Sequence, residues 1–178
     1  MFEIMHPVLA TSRPDLLAPA TLAVIQQYIP QARVFEVDPA LSDTDTLCAA
    51  FSLPPDPMGN AVLIQGKREG EVRQCCCMVL ANRRADVNGE IRRRLDVRKA
   101  SFAQMAVAVE SSGMEYGAIT PVGLGPEWPI WLDETVRDVE ELCVGSGVRR
   151  SKLLFPGRYL LDLPGAGLVE GLTVRIDH

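Results

Sequence analysis

Two glycine runs hold the positions whose types and spacing could do chemistry. Gly117-Ala118-Ile119-Thr120-Pro121-Val122-Gly123 places peptide N–H groups in a loop shaped by proline and glycine. Such groups can hold a carbonyl or an oxyanion with no side-chain catalyst. A plain structural turn is the alternative, and composition alone favours it. Gly145-Ser146-Gly147 is a bare GxG after an apolar run; it lacks the third glycine and the following apolar helix of a dinucleotide site. Side-chain catalysts are scarce. The two histidines, His6 and His178, sit near the ends, so a Ser-His-Asp or Cys-His set would have to recruit a terminus. Cys75-Cys76-Cys77 falls in a strand-like run where neighbouring side chains face opposite ways. Three adjacent thiolates there cannot close around one zinc, so packing is their expected role, and no metal or cofactor is expected.

These runs must be positioned by the rest of the chain. Ser12, Pro14 and Pro19 mark entry into a helical region carrying Leu22, Val24 and Ile25, closed by Pro30. The segment 32–37 reads as a strand. Ser42 with Asp45 resembles a capping box before Leu47 and Phe51. The prolines at 54, 55 and 57 make a rigid loop leading to a hairpin of 60–65 and 72–81, joined by a turn over 66–70. A helix is expected over 86–95. Another is expected from Ser101, with Phe102, Met105, Ala106 and Val109 at helical spacing and packed on the core. Residues 113–126 form a shaped loop, with short strands at 129–133, 142–145 and 152–155, a helical turn within 156–163 and a closing strand at 168–176. With no repeat, low-complexity tract or linker, one mixed α/β domain over 1–178 is the economical reading.

The chain has 178 residues, 47% apolar and 23% charged, an ordinary globular balance large enough for one core. The N-terminus has no basic stretch followed by a long apolar run, so neither a secretory signal nor a membrane anchor is expected, and the expected location is the cytoplasm. An odd count of five cysteines, three of them consecutive, fits reduced thiols there. The net charge is −5, yet the basic residues are clustered. Seven lie between Arg83 and Lys99 against three acids, and Arg149, Arg150, Lys152 and Arg158 follow with no acid between Gly145 and Arg158. Brought together, these make a face able to hold phosphates; for Arg92 to Arg94 a solvated helix face is an equal alternative.

The order and spacing of Gly113-Met114-Glu115-Tyr116-Gly117-Ala118-Ile119-Thr120-Pro121-Val122-Gly123-Leu124, Pro129-Ile130-Trp131-Leu132-Asp133-Glu134 and Cys143-Val144-Gly145-Ser146-Gly147-Val148-Arg149-Arg150-Ser151-Lys152-Leu153 resemble the YbaK / prolyl-tRNA-synthetase-associated domain family. The likeness extends more weakly through 84–88, 97–101 and the Asn60 strand. It covers roughly 40–165, leaving 1–40 as a helical N-terminal extension. The resemblance implies a mixed β-sheet, partly rolled into a barrel and flanked by helices, with a pocket between the loops. It also implies a trans-editing deacylase that hydrolyses the ester joining a mischarged amino acid to the terminal ribose of tRNA. Water attacks, backbone amides hold the substrate, and a substrate ribose hydroxyl assists.

Carried over by position, Gly117, Thr120, Pro121 and Gly123 form one pocket wall, with Gly117 and Gly123 in the catalytic loop. Gly145, Ser146 and Gly147 form another, and Asp133 ends the strand between them. Arg149, Arg150 and Lys152 lie beside the mouth, facing the terminal phosphates of the acceptor end. Family members carry a lysine at the start of the strand that here begins at Asn60. Asparagine donates and accepts hydrogen bonds without bringing charge, so Asn60 is expected to position the ester with less electrostatic help. Two readings follow: a deacylase with an asparagine variant of the site, or a binding module for an aminoacyl or nucleotide-like ligand. Redox sensing at Cys75 and Cys77 is a third, disfavoured because residues two apart on a strand stand about 7 Å apart. Met114, Tyr116, Ile119 and Leu124 are candidates for trimming the pocket, with core packing as the alternative. Trp128 and Trp131 offer a face for a homodimer, again with packing as the alternative.

Overall fold

The computed structural model describes residues 1–176, so His178 lies outside the described residues. The chain opens with a 3-10 turn, the short strand β1 (Val8–Leu9) and two further 3-10 turns. The helix α1 (Pro19–Tyr28) then starts with proline at its first position, where a missing N–H costs nothing. The strand β2 (Arg33–Glu36) follows. The helix α2 (Thr44–Phe51) begins after Asp43, and no side chain caps it. The expected capping box is therefore absent: Ser42 is buried and its Oγ has no hydrogen-bond partner among the described residues.

The hairpin has longer strands and a tighter turn than expected. Strands β3 (Gly59–Arg68) and β4 (Glu71–Leu80) pair in full register down to Arg68 opposite Glu71. The two turn residues, Glu69 and Gly70, both have positive φ, which matches the right-handed twist of the strands they join. After β5 (Arg83–Ala85), Asp86 accepts hydrogen bonds from the amides of Gly89 and Glu90. It thereby caps a π-helical turn that runs into α3 (Arg92–Leu95), where an uninterrupted helix was expected.

The helix expected from Ser101 is in part a strand. Residues Ala100–Phe102 form β6 on the edge of β3, with Ile64 opposite Phe102, and only then does α4 (Met105–Ser112) start. Helical spacing placed Phe102 and Met105 on the core, whereas both are exposed. The loop 113–129 leads to β7 (Ile130–Leu132), α5 (Glu134–Arg137), β8 (Leu142–Gly145) and β9 (Ser151–Phe155). The expected closing strand is two strands, β10 (Ala166–Leu168) beside β7 and β11 (Thr173–Arg175) beside β5, separated by a turn at Gly171.

The strands make a four-stranded sheet ordered β1-β2-β9-β8, a five-stranded sheet ordered β10-β7-β4-β3-β6, and the pair β11-β5. A parallel bridge between Met58 and Cys143 joins the first two sheets. Among the described residues no ladder closes them into a barrel, so the architecture is mixed α/β with open sheets. The first forty residues contribute more than helix. They supply β1 and β2, and β2 pairs along β9 from Arg33 opposite Leu154 to Glu36 opposite Ser151. The main core lies between α1 and the sheets, around Ile25, Val34, Met78, Leu132 and Leu153. A second cluster, with Cys75 and Cys77, packs under α3; a third, with Cys76 and Trp128, packs under α4.

Candidate functional site

A cavity of about 400 Å³ opens where β3 meets the β8–β9 corner, a volume within the range of small-molecule sites. Its lining comes from five places: Ser42, Asp43 and Thr44 at the entry to α2; Gly59 to Leu63 on β3; Phe102, Ala103 and Ala108 on β6 and α4; Tyr116, Gly117 and Ile119 on the glycine loop; and Gly145 with Lys152 on β8 and β9.

Asn60 is half-buried, and its Oδ1 accepts a hydrogen bond from the Thr44 hydroxyl at 2.9 Å. That bond orients the amide and engages Oδ1, while the two Nδ2 N–H donors have no partner among the described residues. Gly117 has φ 82° and carries the loop over Arg149; a Cβ there would stand 2.3 Å from a guanidinium nitrogen. The Gly117 and Ile119 amides make no hydrogen bond among the described residues. Gly145 lets the loop close down on the sheet, since a Cβ would stand 2.4 Å from the Ala118 carbonyl oxygen.

Lys152 was expected beside the mouth. It sits inside, only 5% exposed and lining the cavity, opposite Gly145 in the β8–β9 register. Burial pushes its pKa below the ordinary lysine range. Arg149 and Arg150 are held by the protein itself. Arg149 donates to the carbonyl oxygens of Pro39 at 2.9 Å and Tyr116 at 3.4 Å and lies 3.5 Å from the Asp43 carboxylate. Its own amide donates to the Glu115 carboxylate at 2.6 Å. Arg150 donates to the Asp15 carbonyl oxygen.

The other expected site residues build the loops from behind. Gly123, with φ 108°, packs against the backbone of Ala20 and Thr21 at the start of α1. Thr120 is buried, with its amide on the Met114 sulfur and its hydroxyl accepting from the Val122 amide; Pro121 beside it is buried too. Ser146 Oγ lies 2.7 Å from Ser151 Oγ, and Gly147 bonds through its backbone to Ala118 and Glu115, which stitches the two glycine runs together. Asp133 ends β7 and caps α5 through the Thr135 amide; it also accepts from Thr173 at 2.6 Å and lies 3.6 Å from Arg83. None of these six lines the cavity.

Sequence reasoning missed Ser42, Asp43 and Thr44, whose polar run looks like an ordinary helix cap, and the inward position of Lys152. Of the four pocket-trimming candidates, Tyr116 and Ile119 reach the cavity, while Met114 is buried beneath the loop and Leu124 packs beside Trp128. Trp128 is buried with its Nε1 on Ser111, which removes it from any homodimer face. The cysteines are free. Burial raises the Cys76 thiol and pushes Cys143 up to about 12, and the contact with Cys75 together with burial raises Cys77. Burial thus favours the thiol form of Cys76, Cys77 and Cys143, although the Cys75 and Cys77 sulfurs lie 3.7 Å apart, closer than the spacing of residues two apart on a strand suggested.

Fold and site together define a class: a mixed α/β protein whose pocket is floored by a strand, roofed by a glycine loop and furnished with amide donors. Residues 38–163 match the model of the aminoacyl-tRNA editing domain, and the chain belongs to that family. No curated protein sequence matches the chain. Among solved structures it is similar to a candidate trans-editing enzyme for prolyl tRNA synthetase, with a TM-score of 0.71 and 20% identity over 86% of this chain and 96% of that one. It is likewise similar to the hypothetical protein APE2540, at 0.72 and 17% over 84% and 96%. A candidate signal-transduction protein from Marinobacter aquaeolei VT8 matches at 0.59 and 16%, over 87% of this chain and 30% of that longer one. At these identities the likeness is one of fold. No helix among the described residues is long and apolar enough to cross a membrane.

Proposed function

We propose that the protein is a trans-acting deacylase that hydrolyses the ester between a mischarged amino acid and the terminal ribose of tRNA. The observation that carries this reading is the cavity in which Asn60, with its acceptor already engaged by Thr44, faces the Gly117 and Gly145 walls. Water attacks the ester carbonyl carbon. The Asn60 Nδ2 donors and the unengaged amides of Gly117 and Ile119 hold the carbonyl oxygen, and a ribose hydroxyl of the substrate assists the departure of its neighbour. Tyr116 and Ile119 bound the space for the amino-acid side chain. Gly123, Thr120, Pro121, Asp133, Ser146 and Gly147 serve this chemistry by holding the loops.

The acceptor end has a route to this pocket. Past Asn60, Val62 and the exposed Phe102, the cavity continues into a second groove lined by Arg84, Asn88 and Ser101. A terminal base stacked on Phe102 and a phosphate at Arg84 use an aromatic face and a cation that has no acidic partner among the described residues, as single-stranded nucleic acid requires. This moves the expected phosphate contacts away from Arg149 and Arg150.

The test is the pair Asn60→Ala and Asn60→Lys on a tRNA that the wild type deacylates. Loss of one transition-state donor lowers kcat in Asn60→Ala by on the order of tenfold to a thousandfold, while Asn60→Lys retains or raises it. Equal rates in wild type and Asn60→Ala would remove Asn60 from the mechanism. Tight binding with no cleavage by the wild type would favour a binding module.

A further inference from the structure

Lys152 is a buried cation in search of an anion. Its side chain leaves β9 on the same face as Leu154, toward α2, and the residue opposite it on β8 is Gly145, which has no side chain to compete for the space. The charged and titratable groups facing it are Asp43 and Cys48 from α2 and its entry, Cys143 from β8 and Arg149 from the β8–β9 turn. The three acidic groups leave it unneutralised. Cys48 and Cys143 are thiols whose pKa values burial raises, and Asp43 lies beyond ion-pair distance and is shared with Arg149. Among the described residues Lys152 makes no ion pair and no side-chain hydrogen bond. An ammonium on a side chain this deeply buried, without a partner, is costly, and an electron-rich ligand arriving in the cavity offsets that cost. Ser42, on the same cavity, has a buried Oγ without a hydrogen-bond partner among the described residues.

We infer that Lys152 is the catalytic cation of this pocket, its ammonium holding the carbonyl oxygen of the aminoacyl ester and the oxyanion that forms on it. The inference rests on the deacylase reading and supplies the charge that Asn60 does not bring. Water oxygen bonds to the carbonyl carbon and the electron pair of the C=O bond moves to oxygen beside Lys152. The pair returns as the carbon–ribose oxygen bond breaks, and the proton lost by water ends on the ribose oxygen. The products are the free amino acid and tRNA with its terminal hydroxyl restored; nothing is oxidised or reduced. Charge in a cavity walled off from water acts most strongly on the state in which charge develops.

The protonated form is the working one. Because the folded-state pKa is lowered, the contribution of Lys152 is full at pH well below that lowered value. It is lost as pH rises through it, at a pH below that of an ordinary lysine. Stability runs the other way. The unfolded chain binds the proton more readily, so the burial cost is full below the folded pKa and fades as pH rises toward the ordinary lysine value.

The experiment uses the full chain as wild type, Lys152→Met and Lys152→Arg, with two readouts. The first is deacylation against pH on a tRNA that the wild type cleaves. The second is binding of two adenosine analogues, a neutral 3′-aminoacyl amide and an anionic 3′-phosphonate that imitates the oxyanion. Lys152→Met is expected to lower kcat by on the order of tenfold to a thousandfold with little change in KM. The wild-type to Lys152→Met ratio should fall as pH rises, and phosphonate affinity should drop far more than amide affinity. Lys152→Arg should recover part of the phosphonate binding. Lys152→Met should melt at or above wild type at neutral pH, which shows that the loss is not one of folding. Unchanged kcat, equal loss of both analogues, or a ratio that grows with pH, the mark of a neutral amine acting as base, would overturn the assignment. If the wild type cleaves no tRNA, the deacylase reading and with it a catalytic role have failed, and the analogue pair still decides whether Lys152 is the pocket's oxyanion-binding cation: selective loss of the phosphonate in Lys152→Met sustains that and equal loss overturns it.

Discussion

A Cβ on Gly117 would displace an Arg149 guanidinium that ties the loop to Pro39 and Asp43, whereas a Cβ on Gly123 would meet the α1 backbone at 2.7 Å. Both positions have positive φ, so alanine is strained at each, by on the order of 1–3 kcal/mol. The consequences divide by place. Gly117→Ala should lower the deacylation rate more than tenfold with a modest loss of thermal stability, because it reshapes the cavity roof. Gly123→Ala should chiefly lower the melting temperature and leave the kcat of the folded fraction near wild type. Thermal melts beside single-turnover rates separate the two. Both glycines were legible in the sequence as loop-shaping residues, since their spacing with Pro121 admits little else. Which of them lines the cavity was not legible, because that depends on α1, far away in the chain. The inward turn of Lys152 was hidden for a related reason. A lysine after two arginines reads as surface charge until Gly145 is found opposite it in the sheet.

Elements whose signals are local were readable: α1 from Pro19 and its apolar residues, the β3–β4 hairpin from its charged turn, and β7, β8 and β9 from short apolar runs. Those decided by distant partners were not. Phe102 has the spacing of a helix start, yet pairing of 100–102 with β3 makes it an exposed strand residue at the rim between the two grooves. The segment 168–176 reads as one strand, but only 173–175 pair with β5, while Leu168 ends the strand 166–168 that pairs with β7. The same element-scale view gives a test of the acceptor-end route. Arg84 is exposed on β5 and pairs with no acid among the described residues, unlike Arg83 beside Asp133. Arg84→Ala should raise KM several-fold, leave kcat near wild type and reduce the salt slope of tRNA binding by roughly 0.7 for one lost single-strand phosphate contact. An unchanged salt slope would place the phosphates elsewhere.

Across the whole molecule, ion pairing decides what the clustered basic residues are worth. Arg93 and Arg94 pair with Glu90, Arg68 and Arg73 with Asp96, and Arg158 with Glu140. Of the Arg92 to Arg94 run, the solvated helix face is therefore the better description, and Arg94 also lies over the Trp131 ring at 5.8 Å. The N-terminal forty residues are built into the same structure as the site. They carry two strands of one sheet, the Ala18 amide bonded to the Ser146 carbonyl and the Val37 amide bonded to the Arg150 carbonyl. Their helix α1 and strand β2 were legible, the latter as the segment 32–37, but β1 was not, because a two-residue strand has no period to read. What the assembled molecule presents at the β3 cavity is a set of amide donors on floor and roof beside the buried Lys152.

The most direct measurement is single-turnover release of free amino acid from a panel of correctly and wrongly charged tRNAs by the purified wild-type protein, corrected for spontaneous ester hydrolysis. An editing deacylase releases the amino acid from one or a few mischarged species well above the spontaneous rate and leaves the correctly charged tRNAs intact. Spontaneous rates across the entire panel, at protein concentrations that saturate tRNA binding, would contradict it.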